Sequence, residues 1–112
     1  ITQKRSQKSL GKQIDISIFD EEIKSLLNGE KSILYFSTPT CGACKSQEPI
    51  IDKLKEELKA VGKVDLMQNT AASKEFGILG TPTTVIMKGN TVSEIFVGLK
   101  KHDFLKSKYE DL

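Results

Sequence analysis

The chain has 112 residues, of which 38% are hydrophobic and 29% charged, with a formal net charge of +2. That is the size and composition of one globular domain with an ordinary core. So small an excess of charge argues against nucleic acid as a partner, and no run reaches the roughly 20 apolar residues of a membrane span. Residues 1–13 read as a flexible basic arm, in which Lys4, Arg5, Lys8 and Lys12 have no acidic neighbour. The first residue is Ile1 with no secretory apolar stretch behind it. The expectation is a cytoplasmic protein, with room for a leader or anchor upstream.

The domain is expected over 14–112. Ile14, Ile16 and Ile18 alternate with polar residues and predict an edge strand. Asp20-Glu21-Glu22 suits a helix N-terminus, and Phe19, Ile23, Leu26 and Leu27 follow at helical spacing until Asn28-Gly29. Ile33-Leu34-Tyr35-Phe36 reads as a strand buried on both faces. Residues 37–40 form a turn, and a helix starts near residue 42. Its core face carries Ile51, Leu54, Leu58 and Val61, and Pro49 sits inside it. Gly62 is expected to close it, with Val64 and Leu66 in the next strand. A short helix over 71–76 ends at Gly77. Strands over 83–87 and 91–97 flank a Gly89-Asn90 hairpin turn. A last helix starts near Lys100, with Leu105, Tyr109 and Leu112 on one face. The order βαβαβαββα predicts an α/β fold, a central mixed sheet with helices on both faces.

The chemistry concentrates at Cys41-Gly42-Ala43-Cys44, the chain's two cysteines. A bridge three residues apart closes too short a loop to restrain the unfolded chain much, so a structural staple explains it poorly. Zinc needs four ligands, and beyond this pair there is one histidine, His102, far along the chain. An iron–sulfur cluster would need thiolates from a second chain. The strand–CxxC–helix setting instead suits a redox pair. Cys41 would stand at a helix N-terminus, where unpaired N–H groups and the helix dipole stabilise a thiolate. Cys44, one turn later, would lie on the same face and resolve a mixed disulfide. Gly42 and Ala43 are small enough to let a partner approach, and Lys45 adds positive field.

Cys41-Gly42-Ala43-Cys44-Lys45, Pro49, Gly80-Thr81-Pro82-Thr83, Gly89-Asn90 and Gly98 occur in the order found in the thioredoxin family, which the chain resembles from about Ile14 onward. The resemblance implies that Pro82 is cis and packs beside the sulfurs. It implies that the Thr81 backbone pairs with an extended partner segment, and that Gly80 and Gly98 flank the same groove. From the residues alone, Pro82 could also simply open a strand, and Gly98 end one. Three departures stand out. Thr40 replaces the family's tryptophan before the first cysteine. Ala43 replaces its proline between the cysteines. Tyr35 occupies the place of its buried carboxylate and is a poor base at neutral pH. Deprotonation of Cys44 then falls to water, to Glu48, or to Lys63 at the family's buried-lysine position.

The resemblance implies reduction of protein disulfides through a mixed disulfide at Cys41, with no cofactor beyond the Cys41–Cys44 pair. Client proteins with disulfides and a thioredoxin-reductase-type electron donor are the implied partners, and nothing in the sequence asks for more than a monomer. Two alternatives remain: an extracytoplasmic or membrane-tethered oxidase or isomerase, and a thioredoxin-fold module that only binds.

Overall fold

The computed structural model describes residues 10–112. Lys4, Arg5 and Lys8 of the basic arm lie outside the described residues. From Gly11 the chain runs beside a strand: Gly11 N–H donates to Val92 C=O, Val92 N–H to Lys12 C=O, and Ile14 N–H to Asn90 C=O. Lys12 Nζ also donates to the Glu75 carbonyl at 2.9 Å.

The strand expected over 14–18 is absent. Gln13 makes a single bridge to Thr91, and Ile16–Ile18 is a 3-10 turn capped by Asp15. The alternation in burial nevertheless holds over 14–18, since Ile14 is buried and Ile16 and Ile18 are half-buried while Asp15 and Ser17 are exposed. Two extended residues followed by a tight turn bury every second side chain much as a strand does.

Helix α1 (Glu21–Leu27) begins where Asp20 accepts the Ile23 N–H at 3.0 Å, with Glu21 and Glu22 in the first turn to complement the dipole. Strand β1 (Lys31–Ser37) is buried through its middle five residues because it has neighbours on both sides and on both faces. Helix α2 (Gly42–Leu58) follows, then β2 (Val61–Asp65), α3 (Thr70–Phe76), β3 (Thr83–Lys88), β4 (Thr91–Val97) and α4 (His102–Glu110). The sheet order is β2-β1-β3-β4; β1 and β2 are parallel, while β1–β3 and β3–β4 are antiparallel. The β3–β4 hairpin turns at Gly89-Asn90, with Gly89 at φ +60°.

Gly62 does not close α2. Lys59 does so, at φ +64°, and Gly62 lies inside β2. A Cβ there would stand 2.5 Å from Ile23 Cδ1 and 2.9 Å from Leu26 Cδ1, so the glycine lets α1 sit directly on the strand. Leu66 falls just past β2, and Leu112 just past α4.

Period-two alternation divides the core between the sheet's two faces. Leu34 and Phe36 point to one, where α1 and α3 bring Ile23, Leu27, Ala72 and Phe76. Ile33 and Tyr35 point to the other, where α2 and α4 bring Cys44, Ile51, Leu54 and Leu105. Each such large apolar side chain contributes about 1.5–3 kcal/mol on burial. The second face carries the site.

Candidate active site

The end of β1 and the start of α2 place the two cysteines. After Ser37 the chain turns, and the Cys41 N–H donates to the Thr38 C=O at 3.2 Å. Cys41 is the N-cap of α2, in extended conformation (φ −84°, ψ 112°). Its Sγ accepts the Cys44 N–H at 3.1 Å. A sulfur thus does what a serine or aspartate oxygen commonly does at a helix start. The same N–H, with the dipole behind it, favours negative charge on that sulfur once the bond opens.

Cys41 and Cys44 are joined as a disulfide with their Cα atoms 5.3 Å apart. The two sulfurs are unequally placed: Cys41 is half-buried, whereas Cys44 is 4% exposed. Thr40, Gly42, Ala43 and Lys45 surround them on the solvent side, all exposed. A Cβ at Gly42 would meet nothing within 4 Å, so the approach over Gly42 is open.

Beside the pair lies an open cavity of about 520 Å³, lined by both cysteines with Thr38, Lys45, Glu48, Asp52 and Asp65. Tyr35 is fully buried, and its hydroxyl donates to the Cys44 carbonyl at 3.1 Å. Burial first, and the Glu48 charge second, push its phenol up to about 12. At neutral pH Tyr35 is therefore a hydrogen-bond donor that fixes the first turn of α2. Lys63 stays exposed, with Nζ 2.8 Å from Asp52 Oδ1 and 3.9 Å from Glu48 Oε1. It neutralises the carboxylates that border the cavity.

A second loop carries the expected cis-proline. The Thr81–Pro82 peptide bond is cis, and Pro82 is buried with Thr81 half-exposed beside it. Thr83 Oγ1 donates to the Gly80 C=O at 2.6 Å and tightens the turn. Gly98 N–H donates to the Pro82 C=O at 2.8 Å, with Gly98 at φ +94°, a backbone region that favours glycine. The Pro82 and Gly98 segments are thus one bonded unit. Around it Leu79, Val97 and Leu99 are exposed.

One residue escaped sequence reasoning. Gln47, a turn beyond Cys44 on the same helix face, is completely buried, and both ends of its amide bond the backbone of Lys100. Only the oddity of a polar residue in the Cys44, Ile51 and Leu54 stripe marked it in the sequence. Among the described residues no group of three or more His, Cys, Asp or Glu could hold a metal ion. His102 is instead bonded to Glu57 and Asp103, at 2.6 and 2.8 Å. Among them, too, no helix is long and apolar enough to cross a membrane.

Comparison with known proteins agrees with this geometry. The family model described as Thioredoxin matches residues 11–111. Protein disulfide-isomerase TMX3 of Homo sapiens is 35% identical over 77 residues, covering 63% of this chain but only 17% of that protein. The chain thus spans about a sixth of the length of that curated relative. Thioredoxin of Bacillus subtilis is 33% identical over 75 residues, covering 63% of this chain and 71% of the relative. A solved thioredoxin from Halobacterium salinarum superposes with a TM-score of 0.76 at 29% identity, covering 83% of this chain and 84% of that one. The family model spans nearly the whole chain, the relatives and the sheet topology agree with it, and the chain, with its cysteine pair at the head of α2, belongs to the thioredoxin family.

Proposed function

We propose that the protein is a thiol–disulfide oxidoreductase that reduces disulfides in client proteins. The reduced Cys41 thiolate attacks one sulfur of a client disulfide. A Cys41–client mixed disulfide forms and one client thiolate leaves. Cys44 then loses its proton and attacks Cys41 Sγ. The Cys41–Cys44 bond closes, and the second client sulfur leaves as thiolate. Two electrons pass from the dithiol to the client. A thioredoxin-reductase-type donor returns them, which suits a reducing compartment such as the cytoplasm.

The observation that carries this reading is the unequal pair: an accessible Cys41 capping α2 and accepting the Cys44 N–H, with Cys44 held beneath it. The Thr81 backbone beside Pro82 offers an extended client segment its pairing partner. The Cys44 proton leaves into the cavity bordered by Glu48 and Asp52. The chain acts as a monomer, with the bonded pair as its redox centre and no cofactor.

Two measurements test this. Cys41→Ser should abolish insulin reduction, and retention of turnover by that variant would sink the mechanism. Titration against glutathione should give a potential near about −270 mV, the reference value for a thioredoxin. A value near about −120 to −180 mV would instead favour the oxidase or isomerase direction, to which the TMX3 relative points.

A further inference from the structure

We infer that Gln47 is a positioning residue: its buried amide clamps the backbone of Lys100 and so holds Val97 and Leu99 as a fixed apolar wall for the client segment beside Pro82. This rests on the client-reducing function proposed above and adds how the client is held.

Gln47 is 0% exposed and sits on the core face of α2 between Cys44 and Ile51. A buried amide without partners is costly, and a leucine or methionine would pack there without that need. Gln47 is fully satisfied by one residue. Its Nε2 donates to the Lys100 C=O at 3.0 Å, and its Oε1 accepts the Lys100 N–H at 2.7 Å. The match is two-pointed, across 53 positions of sequence. Lys100 lies between β4 and α4, where no strand or helix satisfies its backbone.

On the other side of Leu99, Gly98 N–H is bonded to Pro82 C=O at 2.8 Å. Leu99 is therefore suspended between two anchors, one a turn past Cys44 and one on the cis-proline itself. It is 53% exposed, and Val97 is 43% exposed. Val97 leans on the Pro82 turn, its Cγ1 3.9 Å from where a Cβ of Gly80 would be. Exposed apolar side chains gain by covering, and more so when little freedom remains to be lost. The clamp removes that freedom in advance and ties the wall to the helix that bears the sulfurs.

The test compares the full chain with Gln47→Met, Leu99→Ala and the double variant. Steady-state reduction of insulin is set beside alkylation of Cys41 as a function of pH. Each single change is expected to raise KM for insulin about fivefold with kcat retained, the signature of lost binding alone. Because Gln47 acts through Leu99, the double variant should fall within about twofold of Gln47→Met. The Cys41 alkylation profile should not move. An unchanged KM, multiplicative effects in the double variant, or a displaced Cys41 profile each overturn the role. Leu99→Ala alters an exposed side chain and decides the matter even if Gln47→Met does not fold. So does hydrogen exchange of the wild-type chain, where free exchange at the Lys100 amide counts against the clamp. Wild-type protein that reduces a small aromatic disulfide but not insulin overturns the client reading and the wall together. Normal insulin turnover with an unmoved KM in the variants overturns the clamp and the wall but leaves the client reading standing.

Discussion

The two faces of the sheet are built to different standards. The face under α1 and α3 is mostly apolar, with the Phe76 ring 4.8 Å from Phe36 and 6.0 Å from Phe19. The face under α2 and α4 admits polar groups into its core: the Tyr35 hydroxyl, the Gln47 amide and the Cys44 sulfur. The hydroxyl is bonded to the Cys44 carbonyl and the amide to the Lys100 backbone, in the segments that carry the sulfurs and the client wall. The first face contributes cohesion, which needs no particular geometry at its centre. The second gives up some cohesion for placement, because a hydrogen bond sets position and angle in a way that apolar contact does not.

Four changes would break or sharpen that contrast. The largest effect is expected from Phe36→Ala, which empties the aromatic stack and should cost about 3–5 kcal/mol in urea unfolding. Cys41 of the folded variant should alkylate at the wild-type rate, and a slowed rate would mean that the faces are not separable. Next is Gly62→Ala, whose methyl group collides with Ile23 and Leu26 and should cost about 1–3 kcal/mol. A neutral result there would show that α1 rides loosely on β2.

Tyr35→Phe crosses to the other face. It leaves the Cys44 carbonyl without its partner and should cost about 0.5–1.5 kcal/mol. With the phenol held near 12, Tyr35 does not titrate in the working range. The pH profile of Cys41 alkylation between about pH 5 and 9 should therefore keep its shape. A missing inflection in the variant would make Tyr35 a participant in the chemistry.

The smallest effect belongs to His102, at the outer rim. Hydrogen bonds to Asp103 and then Glu57 raise the imidazole above its ordinary 6.5, and the same bonds lower both carboxyls. The stability from the imidazole proton is complete below about pH 6.5 and fades as pH rises through the raised folded value. Below about pH 4 the carboxyls begin to protonate and the gain fades from that side too. His102→Gln should flatten the fall in urea midpoint from about pH 6 to 9 by a few tenths of a kcal/mol at most. A slope identical to wild type would assign that pH dependence elsewhere.

Much of this was legible in the residues. The β1 run, the Asp20 cap, the Gly77 stop and the Gly89-Asn90 turn are local signals, and each of those elements stands near its expected place. The cysteine pair was legible for the same reason, since a strand, a turn and a helix start are read from neighbours. What escaped depends on distant partners. Gly62 resembles a helix stop until α1 is laid over it. Gln47 resembles any polar helix residue until Lys100 arrives to meet it. Lys63 was expected to be buried from its place in the resemblance, yet it is exposed and paired with Asp52 and Glu48. The 14–18 segment misled through periodicity, because burial at every second residue does not require a paired strand.

The position of β2 at the sheet's margin has a consequence for life in a crowded solution. A marginal strand offers a row of open backbone groups on which a second molecule could template itself, the first step towards insoluble aggregates. Here that row is only Val61–Asp65, interrupted by a glycine and by an exposed lysine already engaged with acids on α2. Brevity and charge together make the margin a poor seed, so the protein can present apolar residues around its sulfurs without inviting its own copies to stack.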